Sequence, residues 1–314
     1  AHSVPVTPIP PNEYLKLFIL YNIMIEWYSF ALISALFSAT AAITQKKVLF
    51  KEKALTFTTI LALFNLIIAI PFFFLINWEQ VTNSGILVLF IKSILGAISF
   101  LLVMLGIKNL ELSKALPLLV LTPGLVAIFA FIFLNESLSK IEIFGVILLV
   151  IGTYILSLKP KQKFNSPIKE AIKSKGIYYI FLALILFTTT SILDKAILSN
   201  FKVPINAFMG LQHLFFAIIF LTLILFSKEK EIVKKSFKRS WRWILLVAFI
   251  TMTYRYTYIN SIKLAPVALA LSLKRISVFL AVIIGGKLFK EHNLPRKIVA
   301  TIILITGAIL IING

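Results

Sequence analysis

Long apolar runs separated by short charged stretches dominate the hydrophobic pattern of this chain. A bilayer core about 30 Å thick needs about 20 apolar residues of helix, and in lipid such a run satisfies its backbone only as a helix. The runs do not alternate as barrel strands would. We therefore predict an all-α membrane protein whose ten transmembrane segments, numbered 1 to 10, lie at 25–44, 55–77, 85–107, 115–134, 141–158, 177–196, 206–226, 242–261, 266–288 and 296–313.

The ten segments divide into two related halves. One constant shift of 155 residues aligns the ends of segments 3 to 5 with those of segments 8 to 10, and a shift of 149 aligns segment 1 with segment 6. Five segments per half invert the second half relative to the first, as in many secondary transporters. We predict a first repeat at 24–158, a basic linker at 159–175 and a second repeat at 176–314, with 1–23 a dispensable tail that need not be native. The equivalent pairs are Lys108 and Lys263, Glu136 and Glu291, Gly152 and Gly307, Thr40 and Thr189, and Lys46 and Lys195.

Lysine and arginine concentrate on one side of the predicted membrane. The loops after odd-numbered segments, counted with the adjoining segment ends, hold 23 of them, and the loops after even-numbered segments, counted in the same way, hold 4. The positive-inside rule then places the odd loops in the cytoplasm and both termini outside, in a multi-pass protein of the cell (inner) membrane. The net charge of +20 follows from these loops, and no soluble basic module indicates nucleic-acid binding.

Composition excludes several chemistries. The chain has no cysteine, which excludes disulfides, thiol catalysis and cysteine-based metal sites. No phosphate-binding Gly-x-x-x-x-Gly-Lys-Ser/Thr motif and no His/Glu metal constellation occurs in the sequence. We therefore expect neither an enzyme nor a bound cofactor or metal.

Several stretches resemble the drug/metabolite transporter superfamily, in its EamA-type branch of two five-helix repeats. They are Ala115 through Gly124, Phe133 through Glu136, Gly145 through Gly152, Ala268 through Val278, Phe289 through Glu291, and Gly307. The resemblance covers nearly everything from residue 25 onward. It implies a ten-helix alternating-access carrier with a central cavity lined chiefly by segments 1, 3, 4, 6, 8 and 9. The Lys274-Arg275 pair is similar to the pair that sugar-phosphate and nucleotide-sugar carriers of this superfamily use for phosphate.

Four cations at membrane depth are the main candidates for substrate binding, because each costs roughly 2.5–3.5 kcal/mol at the bilayer centre. Arg255 and Lys274 lie on neighbouring segments, each about 12 Å from the same membrane face at 1.5 Å per residue. The acids, including Asp194, are expected at helix ends or in loops, Asp194 as an interfacial partner of Lys195. A positively charged cavity without acids would require an anionic ligand or water. The four cations are Lys92, Arg255, Lys274 and Arg275.

Other polar and helix-breaking residues add weaker candidates. Tyr254 and Tyr258 share one helix face and could offer hydroxyls or rings to a substrate, or belong to an interfacial aromatic belt. Hydroxyls of Thr40 and Thr189 could bind substrate or simply mediate helix packing. A bend in segment 4 could open a gate or be a static kink; its residues are Pro117, Pro123 and Gly124.

These observations favour a secondary transporter of a small polar, anionic metabolite, with a small-molecule substrate, the lipid bilayer as surroundings and a monomer or weak dimer as the assembly. Two alternatives stay open. An exporter of amino acids or drugs would place acids or aromatic residues at the cavity centre. A lipid-carrier flippase would have a cavity open sideways to lipid, and a non-transporting scaffold would have a closed, dry core.

Overall fold

The computed structural model describes residues 26–109, 119, 122–157, 175–288 and 294–313. Within these ranges the chain is almost entirely helical, with two 3-10 turns and no β-strand. The α-helices are α1 (Trp27–Leu49), α2 (Ala54–Phe74), α3 (Asn83–Asn109), α4 (Thr122–Leu134), α5 (Lys140–Ser157), α6 (Lys175–Ser199), α7 (Ile205–Leu225), α8 (Val233–Leu264), α9 (Val267–Lys274), α10 (Ile276–Leu288) and α11 (Leu294–Asn313).

The helices confirm the ten predicted segments. Segments 1 to 8 correspond to α1 to α8, segment 9 is divided into α9 and α10, and segment 10 is α11. Five of the described helices (α1, α2, α3, α6 from Tyr178, and α7) are long and apolar enough to cross a membrane. The described part of segment 4 is α4 (Thr122–Leu134), which includes Pro123 and Gly124. Pro117 lies outside the described residues, and a gating role for these three residues stays a prediction.

The contact between α5 and α11 shows that the two halves are related by an approximate two-fold axis. A Cβ atom on Gly145 would lie 2.8 Å from the Gly307 carbonyl oxygen, and one on Gly152 would lie 3.2 Å from the Ala300 oxygen. The shift of 155 residues converts the first contact into the second, since it moves Gly145 to position 300 and Gly307 back to position 152. The two helices thus pack antiparallel through equivalent surfaces, as inverted repeats require.

Two lysine contacts repeat the same relation at opposite membrane faces. The Lys46 Nζ donates a hydrogen bond to the Ile107 carbonyl at the end of α3, 2.5 Å away. The equivalent Lys195 Nζ donates to the Ile262 carbonyl at the end of α8, 2.8 Å away. Both lysines satisfy carbonyls that a helix end leaves free. The packing of whole helices follows the same relation between the repeats, because α1 packs along α8 in the way that α6 packs along α3.

One face of the bundle, here called the basic face, carries the ends of α1, α3 and α7 and the start of α8. At this face the Arg239 guanidinium contacts the buried Glu52 carboxylate at 2.8 Å, and Ser240 donates to the same carboxylate. The start of α1 lies at the other, opposite face, where Ser261 donates to the Trp27 carbonyl at 2.9 Å. The sidedness of these faces in a cell stays a prediction.

Apolar packing fills each half of the bundle, and large apolar side chains such as Ile67, Phe74 and Phe131 remain exposed on its outside, as lipid-facing positions do. One buried cluster includes Leu49, Phe57 and Met104 and lies toward the basic face. A second includes Ile197, Val203, Phe208, Ile259 and Val267 and lies toward the opposite face. Polar residues are buried between these two clusters.

Candidate functional site

A cavity of about 210 Å³ lies between the two repeats. It runs from Gln45 and Ile107, near the basic face, to Asp194 and Arg255, beyond which the second apolar cluster closes the bundle. Its volume is below the roughly 300–1,000 Å³ of pockets for drug-sized molecules, so it suits a small metabolite. The lining comes from α1, α3, α6, α8 and α9, as the resemblance implied, and also from α2, α7 and α10, while segment 4 contributes Leu119.

A buried carboxylate joins two of the expected cations at the deep end of the cavity. The Asp194 Oδ1 atom lies 2.7 Å from the Lys92 Nζ, and both side chains are 3% exposed. The Asp194 Oδ2 atom accepts a hydrogen bond of 2.8 Å from the Arg255 guanidinium. The Gln212 amide oxygen accepts a second bond from Arg255, at 2.7 Å, and one from Lys92. The Asp194 carboxylate thus joins α3, α6 and α8, and the hydrogen bonds of Gln212 connect α7 to the same group.

Two expectations about the acids are therefore wrong. Asp194 does not pair with Lys195 at the interface, because α6 continues to Ser199 and places Asp194 more than a turn inside the helix. Adjacent residues also point about 100° apart on a helix, so the two side chains face different neighbours. The expectation that the acids lie at helix ends or in loops is wrong for Asp194, because within the described bundle its carboxylate lies at the depth of Arg255 and contacts that side chain.

Lys195 instead takes part in a separate contact on the opposite face. Its Nζ lies 3.3 Å from the Glu136 Oε1 atom and donates to the Ala265 carbonyl at 2.9 Å. The Glu136 Oε2 atom also accepts a hydrogen bond from the Val267 amide, 2.9 Å away, at the start of α9. These three residues, Lys195, Glu136 and Val267, are called the opposite-face clamp, because they join α6, α9 and the end of α4 on the far side of the cavity.

Lys274 and Arg275 both line the cavity although they are adjacent in sequence. Helix α9 ends at Lys274, and the Arg275 amide donates to the Leu271 and Ser272 carbonyls before α10 begins. The Lys274 Nζ lies over two aromatic rings, 4.0 Å from the centroid of Tyr258 and 5.0 Å from that of Tyr254.

The Arg275 guanidinium has one polar partner among the described residues. Its NH2 group donates to the Thr122 hydroxyl at 2.9 Å, while its buried Nε finds no acceptor within the described ranges. No carboxylate of those ranges pairs with Lys274 or Arg275, since Asp194 is held by Lys92 and Arg255. Among the described residues, the lining therefore has four cationic side chains and one acid. His213 is counted in neither group.

The structure brings most of the sequence-derived candidates to this one cavity and excludes two. The lining includes Lys92, Tyr254, Arg255, Tyr258, Lys274 and Arg275. Thr40 and Thr189 do not line it: both are exposed, and their hydroxyls donate to carbonyls of their own helices, Leu36 and Ile185. We withdraw these two as ligands. Other hydroxyl-bearing residues do line the cavity, among them Ser38, Thr190 and Ser191.

Sequence reasoning did not name Asp194, Asn65, Gln212 or His213 as substrate ligands, although all four line the cavity. Asp194 could have been recognised, because the apolar run after it extends through Ala196-Ile197-Leu198 and places it inside a helix. The other three, Asn65, Gln212 and His213, lie within segments 2 and 7, which the resemblance did not assign to the cavity.

Comparison with known proteins decides the family. The sequence profile of the EamA-like transporter family matches residues 25–158 and again residues 174–313, one match in each half. The chain belongs to the EamA-like transporter family. This EamA-like protein is therefore an integral, multi-pass membrane transporter of the drug/metabolite type, and family members are transporters, not enzymes. Such a transporter has a small-molecule substrate and the lipid bilayer as its partners.

Solved structures support the fold of this EamA-like protein. One protein of known crystal structure, whose description names no function, superposes with a TM-score of 0.65 over 90% of this chain and 96% of its own. The two sequences are 14% identical, so this likeness supports the fold alone. No curated protein sequence matches the chain.

Proposed function

We propose that this EamA-like transporter carries a small polar anion by alternating access, and that Lys274 and Arg275 bind its anionic group. The observation that supports this proposal is the charge of the cavity. Four cationic side chains and a single carboxylate line it within the described residues, and the carboxylate is already shared by Lys92 and Arg255. Among the described residues, neither Lys274 nor Arg275 forms an ion pair with an acid.

An excess of positive charge at membrane depth favours an anionic ligand. Burying an unpaired charge costs several kcal/mol even after the surroundings relax, and in the described ranges Lys274 has only aromatic rings against its ammonium group. A ring face contributes about 0.5–2 kcal/mol to holding a cation, which orients the ammonium group without neutralising it. A ligand carboxylate or phosphate would supply the missing charge.

The shape of the cavity agrees with one state of an alternating-access cycle. The lining extends toward the basic face as far as Gln45 and Thr58, whereas the opposite-face clamp and the second apolar cluster separate the charged end from the opposite face. Release at the opposite face would require the opposite-face clamp to open.

The charge also distinguishes this proposal from the alternatives. A cationic drug would meet repulsion from four cations, and both oxygens of the one acid already have partners. A scaffold with a dry core would not bury this many polar groups around a cavity. A zwitterionic amino acid or a lipid carrier would have to use the same cations, so transport assays must include both.

The test is counterflow in liposomes containing the purified protein, with phosphate, small carboxylates, amino acids, a lipid phosphate and cationic dyes as probes. The double variant Lys274→Gln/Arg275→Gln should lower anion flux at least tenfold, with the protein still folded. The control Lys140→Gln removes an exposed lysine outside the cavity and should leave flux unchanged. Anion flux that survives the double variant, or transport of cations alone, would overturn the proposal.

A further inference from the structure

Buried polar atoms without a hydrogen-bond partner among the described residues line the cavity, and two of the side chains that carry them, Asn65 and His213, lie on α2 and α7. Asn65 in α2 is 5% exposed and His213 in α7 is 3% exposed, and both line the cavity. Within the described part of the chain, the Asn65 Oδ1 and both ring nitrogens of His213 have no hydrogen-bond partner. Buried polar groups in native proteins are nearly always satisfied, so these atoms need an explanation.

Leaving such groups unsatisfied is costly. A buried donor or acceptor without a partner costs about 1–3 kcal/mol, and inside a membrane no bulk water relieves the cost. The neighbouring Gln212 does not share this condition, because its amide oxygen accepts bonds from Lys92 and Arg255. Asn65 and His213 are thus separate from the charged network in their hydrogen bonding, although they line the same cavity.

Helix packing places the two side chains at a similar depth. Helices α2 and α7 run antiparallel, and two contacts fix their register. The Thr59 hydroxyl donates to the Phe220 carbonyl at 3.4 Å, and the Asn206 amide donates to the Leu75 carbonyl at 3.1 Å. Between these contacts Asn65 comes opposite residues 214–216, about one helical turn or less from His213. His213 in turn follows Gln212 of the charged network directly.

We infer that Asn65 and His213 form a second subsite that binds a hydroxyl group of the substrate, so that the cargo is a small hydroxylated organic anion. This inference rests on the proposed function. The Asn65 Oδ1 atom accepts hydrogen bonds, and a neutral histidine ring donates at one nitrogen and accepts at the other. A hydroxyl group donates one hydrogen bond and accepts others, so it can donate to the Asn65 Oδ1 and accept from the N–H of the His213 ring.

Charge excludes the other small donors. An ammonium group could also donate to the Asn65 Oδ1, but it would lie in a cavity with Lys92, Arg255 and Lys274, where like charges repel. A second carboxylate would meet an acceptor at Asn65 and lose a hydrogen bond. The hydroxyl is therefore the neutral partner, and the cations bind the anionic end of the same molecule.

The test uses pairs of anions that differ by a hydroxyl group. Lactate is compared with propionate, malate with succinate, and glycerol 3-phosphate with propyl phosphate, each as a competitor of counterflow in liposomes containing the whole protein. The carboxylate and phosphate pairs distinguish the two kinds of anionic group. We expect the hydroxylated member of at least one pair to compete about tenfold more strongly, as one well-formed hydrogen bond allows.

Variants then assign that preference to the two side chains. Asn65→Leu and His213→Leu should each reduce the tenfold preference to threefold or less, with competition by the unhydroxylated member unchanged. His213→Gln keeps a donor and an acceptor and should retain a larger part of the preference. Unchanged competition by propionate, succinate or propyl phosphate also shows that each variant is folded.

The outcomes separate the two proposals. Equal competition by both members of every pair would overturn the hydroxyl subsite and leave the anion carrier standing, with Asn65 and His213 holding water. A preference that persists in both leucine variants would place the hydroxyl elsewhere and also overturn the subsite. Failure of every anion to compete in the unaltered protein would overturn the proposed function, and the subsite with it.

Discussion

Removing the one described carboxylate of the cavity should destabilise the protein far more than removing one of its partners. Asp194→Asn is nearly isosteric, but it changes the summed charge of Lys92, Arg255 and residue 194 from one positive charge to two. Lys92→Met changes that sum to zero and leaves Asp194 paired with Arg255 at 2.8 Å. The two variants remove the same ion pair, between Lys92 and Asp194, and differ in what each leaves unpaired.

The size of the effect follows from the two contacts. At an effective dielectric constant of about 20, charges about 2.8 Å apart attract by about 6 kcal/mol, so Asp194 offsets the desolvation of both cations. Breaking a buried pair costs about 3–5 kcal/mol in measured cases. We expect about 3 kcal/mol for Asp194→Asn, at the low end, because the Arg255 side chain is 16% exposed and keeps part of its hydration. For Lys92→Met we expect about 1 kcal/mol, since Asp194 keeps one partner.

Thermal unfolding of the purified protein in detergent measures the difference. Asp194→Asn should lower the Tm by roughly 5–10 °C, and Lys92→Met by about 2–3 °C. The double variant should be more stable than Asp194→Asn alone, because it removes one of the two cations left unpaired, and this coupling is what a double-mutant cycle detects. Equal losses in the two single variants, or a larger loss in Lys92→Met, would refute the reasoning that Asp194 neutralises two cations.

Three further predictions follow from other contacts. Gly145→Ala should destabilise the protein by about 1–3 kcal/mol, because the added Cβ would lie 2.8 Å from a carbonyl oxygen of α11, whereas Gly124→Ala, with open space around its Cβ, should be tolerated; comparison of their Tm values checks this. Burial raises the pKa of Glu52, but hydrogen bonds from neighbouring arginine and serine side chains outweigh it and lower that pKa below its ordinary value of 4.5. A carboxylate with a lowered pKa stabilises the fold at pH above 4.5, and this stabilisation is lost as the pH falls through the native pKa. The unaltered protein should therefore have a higher Tm than Glu52→Gln at neutral pH, and the difference should shrink on acidification. A difference in Tm that stays constant with pH would contradict this prediction. The chain has no cysteine, so a single Ser38→Cys in the cavity can be labelled with an impermeant maleimide. Adding Glu136→Gln should increase the rate of labelling from the opposite face. An unchanged rate would show that the opposite-face clamp does not close that face.

The helical framework could be predicted from the sequence because it depends on properties that every residue of a segment shares. Twenty apolar residues in lipid must form a helix, and the equivalence of Gly152 with Gly307 survives in the packing of α5 on α11. The subdivision of segment 9 at Arg275 could not be predicted, because no proline or glycine marks it. It depends on the carbonyls of Leu271 and Ser272 accepting from one amide.

Only part of the candidate site could be predicted. A single charged residue within an apolar run can be recognised in the sequence, but its polar partner on another helix cannot. Lys92 and Arg255 stand out in segments 3 and 8, but their shared partner, Asp194, is five residues before the end of α6 and looks interfacial in sequence. Thr40 and Thr189 fail together, because equivalent positions of two repeats face the same way. A hydroxyl at equivalent positions on the outside of both helices is evidence that the halves are repeats, but it does not identify a residue of the cavity.

The repeats are symmetric in their framework and asymmetric in their charges, and the asymmetry coincides with the proposed binding site. Shifts of 149 and 155 residues relate Asp194 to Gln45, Lys92 to Val247, Arg255 to Phe100 and Lys274 to Leu119, so each charged residue at one end of the cavity corresponds to a neutral one. Gln45, Phe100 and Leu119 line the other end. The contacts that join helices at the two faces, from Lys46 to Ile107 and from Lys195 to Ile262, have meanwhile kept the same form. A carrier that alternates between two faces needs equivalent closures at both and one place that holds the substrate. For the proposed carrier, duplication accounts for the first, and divergence of the charged positions in one end of the cavity accounts for the second.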